Sequence, residues 1–213
     1  MNIAVLGATG DVGSRVVCEA LQRGHRVTAF VRSSRRAADI PEGVTIVVTE
    51  IGDAHTLEAA LDGYDVVISA LRPTEGKEET LPELTGAVLD AVAASGSRVL
   101  VVGGAARLLV PGEGGKTVLT TPGFLPPEIV PIATACQRQY ERCLDETRVD
   151  WTYVSPAAML QAGERTGQYR LGSDTLVTDS QGRSHISIED FAVALIDEVE
   201  QPRHVRKAFT LGY

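Results

Sequence analysis

The stretch NIAVLGATGDVG, residues 2–13, decides the fold of this chain. It begins with a near-continuous apolar run, Asn2 to Leu6, of the kind that forms a strand buried on both faces of a parallel sheet. A GxxGxxG motif follows directly, and a helical pattern of apolar residues begins at about Asp11 and ends before Gly24. This strand–turn–helix sequence predicts an α/β domain with a doubly wound parallel sheet, the Rossmann fold.

Each glycine of the motif has a physical role in binding a dinucleotide. Gly7 permits the tight turn after the strand, Gly10 lets backbone N–H groups approach a pyrophosphate, and Gly13 lets the helix pack closely on the strand. The helix N-terminus adds unpaired N–H donors and a partial positive charge. The alternative is a glycine-rich turn that binds nothing. The predicted cofactor-binding residues here are Gly7, Thr9, Gly10, Asp11, Val12 and Gly13.

The rest of the chain continues the alternation of short apolar strands and helical patterns, which is typical of βαβ units. The pattern predicts one domain over residues 1–213, with a nucleotide-binding part at 1–155 and a pocket-forming part at 156–213. Residues 103–132 are rich in Gly and Pro and predict a long loop, which in compact domains is often an active-site lid. Further strands are expected at 26–31, 44–48, 65–69, 99–102, 152–155, 169–171, 175–178, 184–186 and 207–211, and helices at 55–61, 81–94, 133–147 and 191–199.

Composition excludes several classes of function. The 213 residues carry 20 Lys and Arg against 28 Asp and Glu, a net charge of −8, which disfavours nucleic acid as a partner. No apolar run approaches the length of a membrane span, and the N-terminus does not resemble a signal peptide. Three cysteines without CxxC spacing indicate free thiols, and the four histidines show no metal-ligand spacing. We therefore expect a cytoplasmic monomer or homodimer with no metal.

The end of the second predicted strand indicates which cofactor is used. NAD-binding sites place a carboxylate there for the ribose 2′-OH, but here the sequence reads Val31-Arg32-Ser33-Ser34-Arg35-Arg36. A guanidinium fork matches a 2′-phosphate, so Arg32, Ser33 and Arg36 predict NADPH, with NADH less favoured and a solvated basic loop as the alternative. Asp53 either accepts a hydrogen bond from the adenine amino group or caps the next helix.

These residues together resemble the atypical short-chain dehydrogenase/reductases with an NAD(P)H-binding domain. Within them the chain is similar to a group of proposed NADH-flavin reductases, relatives of biliverdin reductase B and of NmrA-like regulators. The likeness covers nearly the whole chain. It is carried by residues 4–13, Val31-Arg32, Gly52-Asp53, residues 101–105, 150–157, 163–172 and 209–213.

The resemblance implies further contacts with the dinucleotide. The loop after the fourth strand (Ala70, Leu71 and Arg72) is expected along the ribose and pyrophosphate. Two other segments are expected on either side of the nicotinamide: Gly103, Gly104 and Ala105 on one side, and Pro156 to Ala158, with Ala157 between them, on the other. The chain departs from the group at Ala106-Arg107, where a small residue and Ser are usual, so a hydroxyl is missing beside the nicotinamide.

The sequence lacks the proton donor of typical short-chain dehydrogenases, a Tyr activated by a Lys four residues later. Tyr140 lies on the expected helix but is followed at that spacing by Leu144, which leaves it as a weak catalytic candidate or a pocket-lining residue. A flavin or quinone delocalises the charge it receives with a hydride and can take its proton from solvent. Pocket candidates, or else core residues, are Leu108, Leu109, Phe124, Leu125, Met159 and Leu160.

Three functions remain compatible with the sequence. The first is an NADPH-dependent oxidoreductase that transfers hydride to a flavin, quinone or similar small conjugated acceptor. The second is a non-catalytic NADP(H) sensor of NmrA-like type, since a fold can keep its cofactor and lose its chemistry. The third is a reductase or isomerase of a specific biosynthetic intermediate.

Overall fold

The computed structural model describes residues 1–33, 38–52 and 54–213, and of Ala54 the backbone alone. Eight strands form one sheet in the order β3-β2-β1-β4-β5-β6-β10-β8, and two further strands, β7 and β9, pair with each other. Every neighbouring pair is parallel except β10 with β8. The strands are β1 Asn2–Leu6, β2 Arg26–Val31, β3 Thr45–Val48, β4 Val66–Ser69, β5 Arg98–Val102, β6 Trp151–Ser155, β7 Met159–Gln161, β8 Arg170–Gly172, β9 His185–Ser187 and β10 Lys207–Gly212.

Helices cover both faces of the sheet, which is why its central strands are apolar throughout rather than alternating. Side chains of β1 alternate between two cores: Ile3 and Val5 face one side, Ala4 and Leu6 the other. Helices α1 Asp11–Gln22 and α5 Ile188–Glu200 cover the first face. Helices α2 Ala54–Leu61, α3 Leu81–Ser95 and α4 Val130–Leu144 cover the second.

The order of the strands reverses between β1 and β4. From β1 the chain proceeds outward to β2 and β3, and it then returns through β4 to build the other half of the sheet. In doubly wound sheets this reversal leaves a crevice at the carboxyl ends of the strands, where ligands bind. The turn that leaves β1 and the loop that leaves β4 both lie at this crevice, so the sheet confirms the predicted Rossmann architecture.

Most of the predicted elements are present to within a few residues, and the differences have local causes. The fourth helix starts at Val130 rather than 133, because Pro131 suits the first turn of a helix. The strand predicted at 175–178 is wrong: Thr175 alone forms a β-bridge, to Leu109. Strand β7 was not expected, because a three-residue strand carries too few side chains to show a period.

The long loop between β5 and α4 has a core of its own. Leu108, Val118 and Leu176 are buried together, and Phe124 and Leu125 pack against them half-exposed. The backbone N–H and the backbone carbonyl of Leu109 both form hydrogen bonds with the segment after β8. The segment predicted as a lid is therefore folded against the C-terminal part of the chain.

A buried carboxylate, Asp190 at the start of α5, holds the C-terminal part together. It is fully buried and accepts hydrogen bonds from the backbone N–H groups of Thr166 and Gly167, at 2.8 and 2.7 Å. The hydroxyls of Thr166 and Tyr213 donate to its other oxygen. Ser187 caps the helix by accepting from the Asp190 N–H at 3.0 Å, but the Asp190 carboxylate binds the loop instead of completing a capping box.

We expect Asp190→Asn to lower the free energy of unfolding by about 3 kcal/mol, since an amide places two N–H donors where four donors already point at a buried oxygen pair. The midpoint temperature of thermal unfolding should fall by roughly 6–12 °C. The exposed substitution Asp62→Asn serves as the control and should leave the midpoint unchanged. An equal midpoint for the Asp190 variant and wild type would contradict this account.

The same carboxylate sets a pH dependence. Burial acts to raise the pKa of Asp190, but the hydrogen bonds from Thr166, Tyr213 and Gly167 outweigh burial and lower the pKa below its ordinary value. A depressed pKa contributes stability above the unfolded-state value, near 4, and this contribution is lost as the pH falls through the folded-state pKa. In acid titrations followed by circular dichroism, the wild type should therefore lose more stability below about pH 4 than Asp190→Asn does.

Candidate functional site at the carboxyl edge of the sheet

Nearly all the described residues predicted to bind cofactor lie at one edge of the molecule. They follow the carboxyl ends of parallel strands, so the fold brings together segments from widely separated parts of the sequence. The turn after β1 lies beside the loop after β4, and the loop after β5 lies beside the end of β6. This edge is the candidate dinucleotide site.

The turn from β1 into α1 has no room for a side chain at two of its glycines. Gly7 has φ +77°, and a Cβ there would lie 2.3 Å from the carbonyl oxygen of Ala70. A Cβ on Gly13 would lie 2.1 Å from the carbonyl oxygen of Gly7. Gly7 therefore takes the positive φ that the predicted tight turn requires, and Gly13 allows the predicted close approach of the helix. The contact of Gly7 with the loop after β4 was not predicted from the sequence.

Gly10 differs from its two neighbours in the motif. It is exposed, its φ is −81°, and a Cβ there would approach only the carbonyl oxygen of Gly7, at an ordinary 3.4 Å. The fold of the protein itself does not require a glycine at this position. Gly10 is also the N-cap of α1 and supplies no side-chain cap, whereas α5 is capped by Ser187. The open space and the uncapped N–H donors fit a dinucleotide pyrophosphate.

The remaining residues of the motif have distinct surroundings. Thr9 is half-buried and Asp11 is exposed at the open end of the helix. Val12 packs its side chain against the core on the α1 face, so only its backbone N–H is free to face a ligand.

Of the residues predicted for the 2′-phosphate and the adenine, the structure describes Arg32 and Ser33. Arg32 and Ser33 are both exposed directly after β2, and Arg32 forms no hydrogen bond or ion pair with any other described residue. A guanidinium at the end of β2 is available to an anion there. Arg36 and Asp53, predicted for the 2′-phosphate and the adenine, lie outside the described residues.

The loop after β4 lies against the phosphate turn. Ala70 is half-buried and approaches Gly7 through its backbone, while Leu71 packs against the core on the α3 side. Arg72 is exposed and has no ion pair or hydrogen-bond partner within residues 1–33, 38–52 and 54–213. Its charge acts on the thiol of Cys136, which places it on the α4 side of the site.

The turn after β5 is supported from below by a buried tyrosine. A Cβ on Gly103 would lie 2.0 Å from Cζ of Tyr153, and one on Gly104 would lie 2.9 Å from Sγ of Cys136. The Gly104 N–H donates to the Tyr153 hydroxyl at 3.3 Å, and that hydroxyl donates to the Cys136 carbonyl at 2.9 Å. The two glycines thus present bare backbone above an aromatic support, a surface on which a flat ring could lie.

Tyr140, the weak catalytic candidate, lies on α4 behind this turn. Its ring centroid is 5.0 Å from that of Tyr153, and the guanidinium carbon of Arg107 is 4.9 Å from its own centroid. Burial raises the pKa of the Tyr140 phenol, Arg107 opposes this shift, and Asp174 adds to it. The phenol is therefore protonated at neutral pH, and its pKa moves away from the lowered value of an activated tyrosine.

The segment expected on the other side of the nicotinamide is mostly buried. Pro156 is buried, and the whole Ala157 residue is 1% exposed within the core on the α1 face, so Ala157 presents almost no surface to a ligand. Among the apolar pocket candidates, Leu108 is fully buried and Leu160 packs against the core, whereas Met159 is 58% exposed. Of these three side chains, that of Met159 is the one open to a ligand.

The structure also bears on other chemistry. Burial raises the pKa of Cys136 to about 11 and that of Cys143 to about 12, so neither thiol is a thiolate at neutral pH. No group of three His, Cys, Asp or Glu side chains among the described residues could hold a metal ion.

Two surface cavities of about 260 and 250 Å³ lie near Tyr169 and near Tyr213, and neither is lined by a residue of the phosphate turn. In the described part of the chain no helix is long and apolar enough to span a membrane.

The fold and the edge site define a Rossmann-type NAD(P)H-binding protein. Comparison of the sequence with protein families agrees: the NAD(P)H-binding family matches residues 7–202, and the chain belongs to this family of oxidoreductases. YwnB of Bacillus subtilis, an uncharacterised protein, is 33% identical over 213 residues, which are 99% of this chain and 98% of YwnB.

Two solved structures are similar over the whole chain. One is a Streptococcus pneumoniae protein that has been proposed to be an NADH-flavin reductase. It is 33% identical to this chain with a TM-score of 0.87, and the match covers 100% of this chain and 99% of the other. The other is a Bacteroides thetaiotaomicron protein that has been proposed to be an epimerase. It is 37% identical to this chain with a TM-score of 0.91, and the match covers 100% of this chain and 96% of the other.

Sequence reasoning missed the residues that support the site from beneath. Arg107 was noted only as a departure from the resembled group, although it joins four segments. Tyr153 is absent from the predicted site residues, although it supports the turn at Gly103 and accepts a hydrogen bond from the Gly104 N–H. The one available signal was the polarity of Ser155 and Arg107 beside buried strand ends. Asp174, the ion-pair partner of Arg107, is 67 residues away in the sequence, and no local pattern predicts such a contact.

We expect Gly10→Ala and Gly13→Ala to fail in different ways. The Gly10 variant should keep the wild-type melting temperature but bind NADPH at least about tenfold more weakly, because its methyl group occupies the open space. The Gly13 variant should lose about 2 kcal/mol of stability, because its methyl group collides with the Gly7 carbonyl. Thermal unfolding and NADPH titration separate the two effects. Unchanged NADPH affinity in a folded Gly10→Ala protein would exclude Gly10 from the binding site.

Proposed function

We propose that this protein is an NADPH-dependent reductase that transfers hydride to a flavin, a quinone or a similar small conjugated acceptor. The observation that carries the proposal is the contrast between Gly10 and Gly13. Packing within the protein explains Gly13, but nothing in the described fold requires a glycine at Gly10. A bound pyrophosphate supplies the reason, because it needs close approach of the backbone and an uncapped helix N-terminus.

The preference for NADPH rests on Arg32. It is exposed at the end of β2 without a partner among the described residues, and no acidic residue stands at 31–33. In a chain with a net charge of −8, a free arginine at this position favours an anionic ligand group. The 2′-phosphate of NADPH is the part of the dinucleotide that carries such a group.

The preference for a conjugated acceptor rests on the state of Tyr140. A simple ketone becomes an alkoxide on reduction and requires a positioned proton donor. Burial keeps the pKa of Tyr140 raised, and the residue four positions later is Leu144 rather than a lysine. A conjugated acceptor spreads the added charge over its rings and is protonated by solvent, so it requires orientation more than acid catalysis.

In this proposal the chain binds and orients, and the nicotinamide supplies the hydride when NADPH is bound. The N-terminus of α1 and Gly10 hold the pyrophosphate, and Arg32 holds the 2′-phosphate. Gly103 and Gly104 provide a flat backbone surface for the nicotinamide ring, supported by Tyr153.

The proposal is tested by measuring the loss of NADPH absorbance with purified protein and a panel of FMN, riboflavin and simple quinones, with NADH in parallel. Turnover that is faster with NADPH supports it. Tight NADPH binding without turnover on any acceptor would replace it with an NADP(H) sensor. The proposed epimerase among the structural relatives adds one more outcome: interconversion of a substrate with no net oxidation of cofactor.

The choice between cofactors is tested by Arg32→Glu. We expect NADPH binding to weaken by about 2 kcal/mol, roughly thirtyfold, because a charge-assisted contact becomes a repulsion. NADH binding should change far less. Arg26→Glu is the matched control, since Arg26 is an exposed arginine at the amino end of the same strand, β2. Equal losses for NADPH and NADH would show that Arg32 does not contact the 2′-phosphate.

A further inference from the structure

We propose that Arg107 is a positioning residue for hydride transfer, which fixes the spacing between the two walls of the nicotinamide site. This inference rests on the proposed function. It concerns a residue that is distant from the phosphate turn and has no role in the cofactor contacts described above.

The contacts of Arg107 run in three directions. Its Nε donates to Oγ of Ser155 at 3.2 Å, one Nη donates to Oδ1 of Asp174 at 2.7 Å, and the other Nη donates to the carbonyl of Ser173 at 2.8 Å. The face of the guanidinium lies over the ring of Tyr140. A single side chain therefore joins the loop after β5, the end of β6, the segment after β8 and helix α4.

Arg107 is 9% exposed, which makes its charge costly to keep. A buried cation is retained only where hydrogen bonds and an opposite charge compensate its desolvation, and the three acceptors and the Tyr140 ring supply that compensation. A lysine could not replace it, because an ammonium on a flexible stem cannot reach three acceptors set in a planar fork. All four segments are therefore held by one planar guanidinium group.

The joined segments are the two walls between which the nicotinamide is proposed to lie. On one side, Arg107 follows Gly103 and Gly104 by only a few residues in the same turn. On the other side, Ser155 directly precedes Pro156. Pairing of β5 with β6, continued by the hydrogen bond from the Gly103 N–H to the Val154 carbonyl at 2.9 Å, sets the spacing of the strand ends themselves. The bond from Nε to Ser155 holds the distance between the two walls beyond those strand ends. Since hydride transfer depends steeply on the separation of donor and acceptor, this distance controls the rate.

The geometry argues for positioning rather than for contact with the reacting atoms. The guanidinium is turned inward and its side chain is 6% exposed, so it presents little surface to an acceptor. By contrast, the Asp174 side chain is 68% exposed, so the outer end of the cluster is at the surface. Exposed ion pairs contribute little, so the inner bond to Ser155 should matter more than the pair with Asp174.

The test uses the full chain with three variants: Arg107→Lys, Ser155→Ala and Asp174→Asn. Arg183→Gln is the matched control, because it removes an arginine from an exposed ion pair with Asp179 in the same C-terminal part. Each variant is measured for melting temperature, NADPH dissociation constant, kcat and KM for the acceptor, and the fluorescence anisotropy and lifetime of bound NADPH. The fluorescence reports how firmly the nicotinamide is held, and it does not require turnover.

We expect kcat of Arg107→Lys to fall by about 10- to 100-fold, with shorter lifetime and lower anisotropy of the bound nicotinamide, because a displacement near 1 Å has effects of this size. The NADPH dissociation constant should stay close to wild type, since the phosphate turn is untouched. Ser155→Ala should show the same pattern more weakly, Asp174→Asn a smaller change still, and Arg183→Gln none.

Two results would overturn the inference. One is an Arg107→Lys or Ser155→Ala protein that is folded and has wild-type kcat and nicotinamide fluorescence. The other is an equal loss in NADPH affinity and in kcat, which would indicate general collapse of the site. If wild type itself binds NADPH but turns over no acceptor, the proposed function fails, and the fluorescence of the variants still decides whether Arg107 fixes the nicotinamide.

Discussion

The structure depends on the close packing of α1 against the turn that leaves β1. With no Cβ at Gly13, the helix approaches the carbonyl of Gly7, and with no Cβ at Gly7, the turn approaches the loop after β4. These two contacts aim the N-terminus of α1 along the crevice where the strand order reverses. A larger separation would move the free N–H groups of the helix away from that crevice, and the anion site would be lost.

Buried charge organises the half of the molecule that the phosphate turn does not reach. Asp190 ties the loop around Thr166 and the C-terminal Tyr213 to the start of α5. Arg107 ties the loop after β5 to the ends of β6 and β8. In both cases one ionised group collects several hydrogen bonds from segments without regular structure, which is how a loop can be fixed where strand ladders are absent.

The candidate site combines an open end, at the phosphate turn, with an end after β5 that is supported from below. Gly10 is exposed, whereas Gly103 and Gly104 are half-buried, with Tyr153 against Gly103 and Cys136 against Gly104. In the proposed function, affinity and reactivity fall to different parts of the chain. A binding protein needs only the first end, and a reductase needs the second end held in a defined geometry.

The sequence by itself determined the fold and the phosphate turn. Those features are local: the apolar run of β1, the glycine spacing and the helix that follows all lie within residues 2–22, and the periodicity of the later strands repeats the same unit. Tertiary structure alone decided the arrangement of the segments after β5, β6 and β8 and of the loop before α5. There the pairing of Arg107 with Asp174, the support of Gly103 by Tyr153 and the use of Asp190 as a loop anchor join residues 23 to 67 positions apart. A sequence pattern reports spacing along the chain, whereas these contacts depend on which strand ends are neighbours in the sheet.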